Sequence, residues 1–316
     1  MSVTTHRYVI YTPGYNENSG GIIALHRLCD LLNKRGFDAV LHPKQPQFSK
    51  RKPLSSLANI IVKAILGQFV KRRFKTFRGF STPVSTVVDT KNDIVVYPEI
   101  VIGNPLGADN VVRWLLHKPG FITGDFQFCE GDLFFYYQKH FLDGFDDKHI
   151  GGELRAIYVQ DIYRKTNTQK RRGTCYIMRK GKGRKIVHDL KDSVLIDGMS
   201  HERIAEVFNR TEACISYDLH SMYSRYAAVC GCLSIVVPDP SMDKYQWRHE
   251  EDLRWGIAYG FDDIEWAKAT QDKVLPALIK AQADSNKKWV DNFVKKCEMH
   301  FGSKNFVVSL SDRVGG

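Results

Sequence analysis

The chain lacks any window of 18 or more apolar residues, so no segment reads as a membrane-spanning helix. Its start, "MSVTTHRYVIYTPG", has neither the basic residues nor the long apolar run of a secretory signal, and the expectation is a cytoplasmic protein. Seven cysteines (29, 129, 175, 214, 230, 232 and 297) form no CxxC pair, and several sit inside apolar runs. That pattern favours buried free thiols over a metal or disulfide framework. No Asp-x-Asp pair offers itself as a metal site, and no low-complexity tract argues for disorder. Between Ala39 and Val88 there is no acid at all, against ten Lys or Arg, so this one segment holds all but +1 of the net charge of +11. A nucleic-acid signal spread over the whole molecule is thereby excluded.

What is present is 316 residues, 43% apolar and 26% charged, a composition of soluble globular proteins and a length sufficient for two domains. Residues 7–12, "RYVIYT", read as a strand, "PGYNENSGG" as a turn, "GIIALHRLCDLLNKRG" as a helix stopped at Gly36, and "FDAVLHP" as a second strand. "NDIVVY" repeats the strand pattern. Asp109 opens an expected helix in "DNVVRWLLHKPG", and "FITGDFQF" and "DLFFYYQKHF" are expected strands. From residue 154 the alternation restarts: "LRAIYVQ" and "TCYIMRKGKGRK" as strands, then strand, capped helix and strand in "DSVLIDGMSHERIAEVFNRTEACISYD", and a last strand "LSIVVP". Strands alternating with helices argue parallel sheets covered on both faces. The predicted fold class is α/β: two tandem Rossmann-like domains with a cleft between them, residues 1–153 and 154–316, with terminal helices interrupted near Pro276.

Two constellations carry chemistry. In "YIMRKGKGRK", Arg179, Lys180, Lys182, Arg184 and Lys185 follow a predicted strand, with Gly181 and Gly183 permitting close backbone approach. Ligands of open α/β sheets bind at that strand end, and Arg and Lys there suit a diphosphate. The plain alternative is a solvated basic hairpin. In "SYDLHSMYSRYAAVCGCLSIVVP", residues 216–238, Asp218, His220, Ser221 and Ser224 stand where a helix begins, a position that satisfies amides or favours an anion. Either serine alone is explained as a cap.

Asp218, Ala227, Gly231 and the strand "CLSIVV" resemble the pattern of an acid, seven residues and a second acid before "A-x-x-x-G-x-P-V-V" in GT-B glycosyltransferases, especially bacterial surface-polysaccharide enzymes related to glycosyltransferase family 4. The resemblance covers residues 172–240 well; the first half matches only in architecture and in its "GG-x-x-x-x-x-x-L" start. It implies a donor-binding second domain in which Asp218 contacts the transferred sugar. His220, Ser221, Met222 and Ser224 would form the turn around the diphosphate, and Arg179 with Lys182 or Arg184 would meet the phosphates. The departure is Tyr226, which stands where the family's second acid holds the ribose. The first domain would bind the acceptor, with Gly20 and Gly21 letting backbone approach across the cleft. For a general base, Glu99 after "DIVVYP" is best placed, followed by Asp125 and Glu17; the plain reading of each is a surface acid.

The acid-free segment contains "SSLANIIVKAILGQFVKRRFKTFRGF", a helical amphipathic pattern followed by basic residues interleaved with phenylalanine. Lys63, Lys71, Arg72, Arg73, Lys75 and Arg78 are expected on an anionic membrane surface. A helix packed on the core, or a single-strand nucleic-acid groove with stacking rings, are the alternatives; nucleic acid is the least favoured. The expected function is therefore transfer of a sugar from a nucleotide-diphosphate donor to a glycan or lipid-linked acceptor in cell-surface polysaccharide or lipopolysaccharide synthesis. No cofactor and no metal are expected, and the protein would lie peripherally on the inner face of the membrane. The rival is a non-catalytic, membrane-docking nucleotide- or sugar-binding module.

Overall fold

The computed structural model describes residues 6–47, 54, 55, 57, 58, 61, 74–145 and 148–311. The chain divides into two compact units, Met1–Tyr158 with Gln282–Gly316, and Val159–Ala281. Each is built on one parallel sheet.

In the first unit β1 (Tyr8–Thr12) is followed by helix α1 (Gly20–Lys34) and β2 (Ala39–Pro43). Next come β3 (Ile94–Pro98), β4 (Asn110–Leu115), β5 (Leu133–Tyr136) and β6 (His149–Glu153). The strand order is β2-β1-β3-β4-β5-β6, every pair parallel. All residues of β1, β3 and β4 are buried, which is why their sequences read as unbroken apolar runs rather than alternations.

The same property explains the sequence misreadings. "DNVVRWLLHKPG" was expected to be a helix, but Asn110–Leu115 is the strand β4, paired from Ile94↔Asn110 to Pro98↔Trp114. A short apolar run does not distinguish a buried strand from a buried helix, and the β-branched Val111 and Val112 fit the pleated interior. "FITGDFQF" forms no strand, because Gly120 and Gly124 turn the chain at positive φ. Residues 154–160, also expected as a strand, run outside the sheet beyond β6, with the Leu154 carbonyl accepting from the Trp114 indole at 3.0 Å.

The second unit contains β7 (Thr174–Ile177), β8 (Ser193–Leu195), α2 (His201–Arg210), β9 (Ala213–Ser216), α3 (Tyr223–Val229), β10 (Leu233–Val236), α4 (Lys244–Trp247), β11 (Ile257–Tyr259) and α5 (Ile264–Thr270). The order is β11-β10-β9-β7-β8, again all parallel. The Ser200 side chain caps α2 by accepting from the Arg203 amide, as the sequence indicates. Three thiols, Cys175, Cys214 and Cys232, are buried on β7, on β9 and just before β10.

Helices α6 (Val274–Asp284) and α7 (Val290–Ser311) follow. Chain order placed the terminal helices with the second domain, yet Val290, Phe293, Cys297 and Phe301 of α7 join Tyr8, Leu28, Trp114 and Phe135 in the core of the first unit. Three phenylalanines of the basic segment are likewise taken up by that unit. Phe74 stacks on His26 at 5.9 Å, Phe77 on Tyr15 at 5.0 Å, and Phe80 is buried beneath the Arg27 guanidinium. Lys75 and Arg78, between them, face solvent.

Candidate functional site

In a doubly wound sheet the crevice for a ligand lies outside the carboxyl ends of two adjacent strands whose connections leave in opposite directions. In the second sheet β7 has β8 on one flank and β9 on the other, so the switch lies between β7 and β9. The residues leaving these strands are Met178-Arg179 and Tyr217-Asp218. In the first sheet β1 lies between β2 and β3, and the residues leaving β1 and β3 are Pro13 and Glu99. Topology thus brings the two sequence constellations of the second half to one edge, and the candidate base to the corresponding edge of the first.

At the second edge, Asp197 accepts from the amides of Met178 at 3.1 Å and Arg179 at 2.6 Å. This holds Arg179 at φ 37°, a conformation that non-glycine residues adopt only when the surroundings impose it. The Arg179 guanidinium lies 4.9 Å from the Tyr223 ring centre. Two residues on, a Cβ at Gly181 would stand 2.2 Å from the Tyr217 carbonyl oxygen, so only glycine lets the loop after β7 press on the chain leaving β9. Arg184 then reaches across, donating to the carbonyls of Tyr217 (2.8 Å), Val237 (3.1 Å) and Pro238. The Tyr217 hydroxyl accepts from the Val187 amide at 2.8 Å and meets His188 Nδ1 at 2.7 Å. The basic loop is therefore a strap fastened over the ends of β9 and β10.

The turn after β9 is fixed from inside. Ser216 Oγ donates to the Asp218 carbonyl at 2.8 Å, Asp218 Oδ1 accepts from the His220 amide at 3.0 Å, and Ser221 Oγ accepts from the Tyr223 amide at 3.2 Å. Asp218 is 4% exposed, so its carboxylate is committed to this turn and to whatever enters beside it. Ser224 is fully buried. Tyr226 packs inward, stacked on Tyr163 at 4.1 Å and 7°, with the Tyr163 hydroxyl bonded to His201.

At the first edge, Glu99 is 4% exposed and its Oε2 accepts from the Leu116 amide at 3.0 Å. Lys44, just beyond β2, has its amine pushed below the ordinary lysine range by burial, an effect opposed by the Glu99 charge nearby. The loop carrying Glu99 is clamped by Arg113, which donates to the carbonyls of Val101 (3.2 Å) and Gly103 (2.8 Å) and pairs with Asp132 at 2.7 Å in the interior. On the β4–β5 connection, Phe121, Ile122 and Phe126 are exposed, and Phe121 stacks on His117 at 4.4 Å.

No protein-family model and no curated protein sequence matches the chain. Among solved structures, the β-glucosyltransferase of phage T4 in complex with its UDP-glucose substrate matches with a TM-score of 0.51 and 10% identity, over 92% of this chain and 99% of that one. The chain has the GT-B fold. An α-glucosyltransferase in complex with UDP and a 13-mer DNA matches with a TM-score of 0.43 and 10% identity, over 94% and 96% of the two chains. A spinosyn forosaminyltransferase matches at 0.37 and 12%, over 98% and 100%.

Within this GT-B chain the expected residues fall into three groups. Arg179, Asp218, His220, Ser221, Met222 and Ser224 gather at the β7–β9 switch, and Glu99 at the β1–β3 switch. Others take different surroundings. Arg184 spends its guanidinium on three carbonyls, Tyr226 lies in an aromatic core, and Lys182 is exposed. Gly20 and Gly21 form the first turn of α1, where a Cβ on Gly20 would meet nothing. Asp125 accepts from the Phe126 amide in a turn, and Glu17 is exposed. Lys63, Lys71, Arg72 and Arg73 lie outside the described residues. Sequence reasoning missed Asp197, Lys44, Arg225 and Arg248. Arg225 stood inside the quoted motif without a pattern to mark it; Arg248, thirty residues beyond Asp218, had no local signal at all.

Proposed function

We propose that this protein is a GT-B glycosyltransferase. It moves a sugar from a nucleotide-diphosphate donor, bound at the β7–β9 edge, to a glycan or lipid-linked acceptor bound at the β1–β3 edge. The observation that carries this reading is the coincidence of the two candidate clusters with the two topological switch points, one rich in guanidinium groups and one bearing a buried carboxylate. The fold shared with a phage enzyme seen with UDP-glucose supports it.

In this reading Arg179 and the exposed Lys182 offset the charge that develops on the leaving diphosphate, and Asp218 accepts from a sugar hydroxyl. The acceptor oxygen forms a bond to the anomeric carbon as the bond from that carbon to the phosphate oxygen breaks, and the acceptor proton passes to Glu99. Burial of Glu99 beside Lys44 keeps the carboxylate away from bulk water. Tyr226 supports the site from the core rather than holding a ribose. Phe121 and Phe126 offer exposed rings for the acceptor near the Glu99 loop. Surface-polysaccharide synthesis supplies acceptors of this kind.

A membrane surface is the proposed location. Leu54, Leu57 and Ile61, at helical spacing, are 85%, 49% and 47% exposed in the acid-free segment, with Lys75 and Arg78 also at the surface. The inward packing of Phe74, Phe77 and Phe80 takes these three rings out of the stacking role a nucleic-acid groove would need. Among the described residues no helix is long and apolar enough to cross a membrane.

Titration with UDP, GDP, CDP and ADP, followed by hydrolysis and transfer assays with sugar derivatives of the nucleotide that binds, tests the reading. One nucleotide should bind, and its sugar should be released or transferred without added metal. A nucleotide sugar that binds but is neither hydrolysed nor transferred to any glycan or lipid-linked acceptor would favour the binding module instead.

A further inference from the structure

Arg248 is an arginine whose burial the fold leaves incompletely answered. It follows the single turn α4, which is set by a capping box: Asp243 accepts from the Tyr245 and Gln246 amides, and Gln246 returns a bond to the Asp243 amide. The Arg254 side chain holds the Arg248 carbonyl, the Arg248 guanidinium lies 4.2 Å from the centre of the Trp247 ring, and one Nη donates to the Leu253 carbonyl. The residue is only 8% exposed, and its Nε is buried with no acceptor among the described residues. Burial, and then the charge of Arg225, push the guanidinium down to about 9, opposed by Asp218. It is still a cation at neutral pH. The Trp247 indole donates to the Leu219 carbonyl at 2.8 Å, which seats Arg248 against the turn that carries Asp218, and among the described residues no ion pair joins the two.

Ser224 shows the same incompleteness. It is 0% exposed on the helix that follows the Asp218 turn, and its Oγ has no partner among the described residues. A buried cation drawn toward a carboxylate it does not touch, and a buried hydroxyl with nothing to bond, are both costly unless a ligand completes them.

We propose that Arg248, with Ser224, forms an oxyanion subsite beside Asp218 that takes an anionic oxygen of the donor, either a phosphate oxygen of the diphosphate or the carboxylate of an acidic sugar. The inference rests on the donor reading above. The ligand's neutral hydroxyl bonds to Asp218 while its anionic oxygen meets Arg248, which explains why the two side chains stay apart. Arg248 thereby acts as a binding residue that selects charge in the donor.

The test uses the full chain and the variants Arg248→Gln and Arg248→Lys, each titrated with inorganic pyrophosphate, UDP, UDP-glucose and UDP-glucuronate, with the unliganded melting midpoint measured alongside. Arg248→Gln should bind its anionic ligand at least tenfold more weakly while its unliganded midpoint stays level or rises. Arg248→Lys should recover part of the affinity. Equal loss on UDP, UDP-glucose and UDP-glucuronate assigns the oxygen to the diphosphate. Loss confined to UDP-glucuronate assigns it to a sugar carboxylate. Affinities unchanged within twofold for all four probes in both variants, whatever the midpoints do, overturn the proposal and leave Arg248 as a clamp on Leu253. Arg248-dependent binding of pyrophosphate without binding of any UDP species would keep the subsite and sink the UDP-sugar donor. Binding of none of the four would sink both.

Discussion

The carboxyl edges of the two sheets share a topology and differ in charge. At β1–β3 the chain places a buried carboxylate, Glu99, anchored by the Leu116 amide and a loop that Arg113 clamps. At β7–β9 it places Arg179, held in an uncommon backbone conformation by Asp197, and the buried Arg248, together with the buried carboxylate of Asp218. The difference teaches that the switch point fixes where a ligand sits, while the side chains delivered there decide what chemistry is done. In the proposed reaction the first edge takes the proton and the second holds the anion.

That contrast breaks most sharply at Glu99. Replacing Glu99 by Gln should lower the rate of sugar transfer by about 10²–10⁴-fold and leave nucleotide affinity unchanged. Single-turnover rates beside equilibrium titration separate the two, and a variant that transfers at the wild-type rate would remove the base from the first edge. At the second edge the signature should be reversed. Arg179→Ala should weaken nucleotide-diphosphate binding about 10- to 100-fold, the value of one or two charge-assisted hydrogen bonds, measurable by calorimetry. Unaltered affinity would return the basic loop to the status of a solvated hairpin.

A third comparison concerns scaffolding rather than chemistry. Gly181→Ala forces a Cβ onto the Tyr217 carbonyl, and the strap over β9 and β10 must shift; a loss of about 1–3 kcal/mol is expected in the urea midpoint. Gly20→Ala at the first edge meets open space, and should be neutral or slightly stabilising through helix propensity.

The smallest effect distinguishes the units by acid. Burial holds His26 and His42 in the first unit, and His188 in the second, below the usual histidine value of 6.5. In the unfolded chain each takes up a proton near that value, whereas in the folded chain each does so only at lower pH. Stability from these groups is therefore present above pH 6.5 and lost as pH falls below it. Amide protection factors, corrected for the intrinsic pH dependence of exchange, should fall more in β1–β3 than in β9–β10 between pH 7 and 5, and His26→Gln should narrow the gap. An equal fall in both sheets would show that these histidines do not set the acid response.

Much of this was legible because it rests on local pattern. The strand, turn, helix, strand unit at residues 7–43, the capped helix after Ser200, and the cluster from Asp218 to Ser224 all follow from periodicity, turn residues and spacing. What escaped had non-local causes. Asn110–Leu115 is a strand because it lies between β3 and β5, and the same apolar run in isolation reads equally well as a helix. Arg184 carries the charge of a phosphate ligand, but Tyr217, Val237 and Pro238 present three carbonyls that claim it. Tyr226 marked a departure from the resembling pattern, and only the stacked Tyr163 shows that the side chain went into the core. The phenylalanines after residue 73 read as a surface display until His26, Tyr15 and Arg27 are seen to receive them.

The sequence by itself determined the elements of residues 7–43 and most of those after residue 172, the parallel α/β class, the confinement of the net basic charge to one segment, and the residues gathered after β7 and β9, because helix and strand period and turn chemistry act over a few neighbours. Tertiary structure alone decided which arginines remain available, by surrounding Arg184 with carbonyls and burying Arg248 beside Asp218. It also decided that α7 completes the first core. Burial and partner choice are properties of residues far apart in the chain, and no local spacing encodes them.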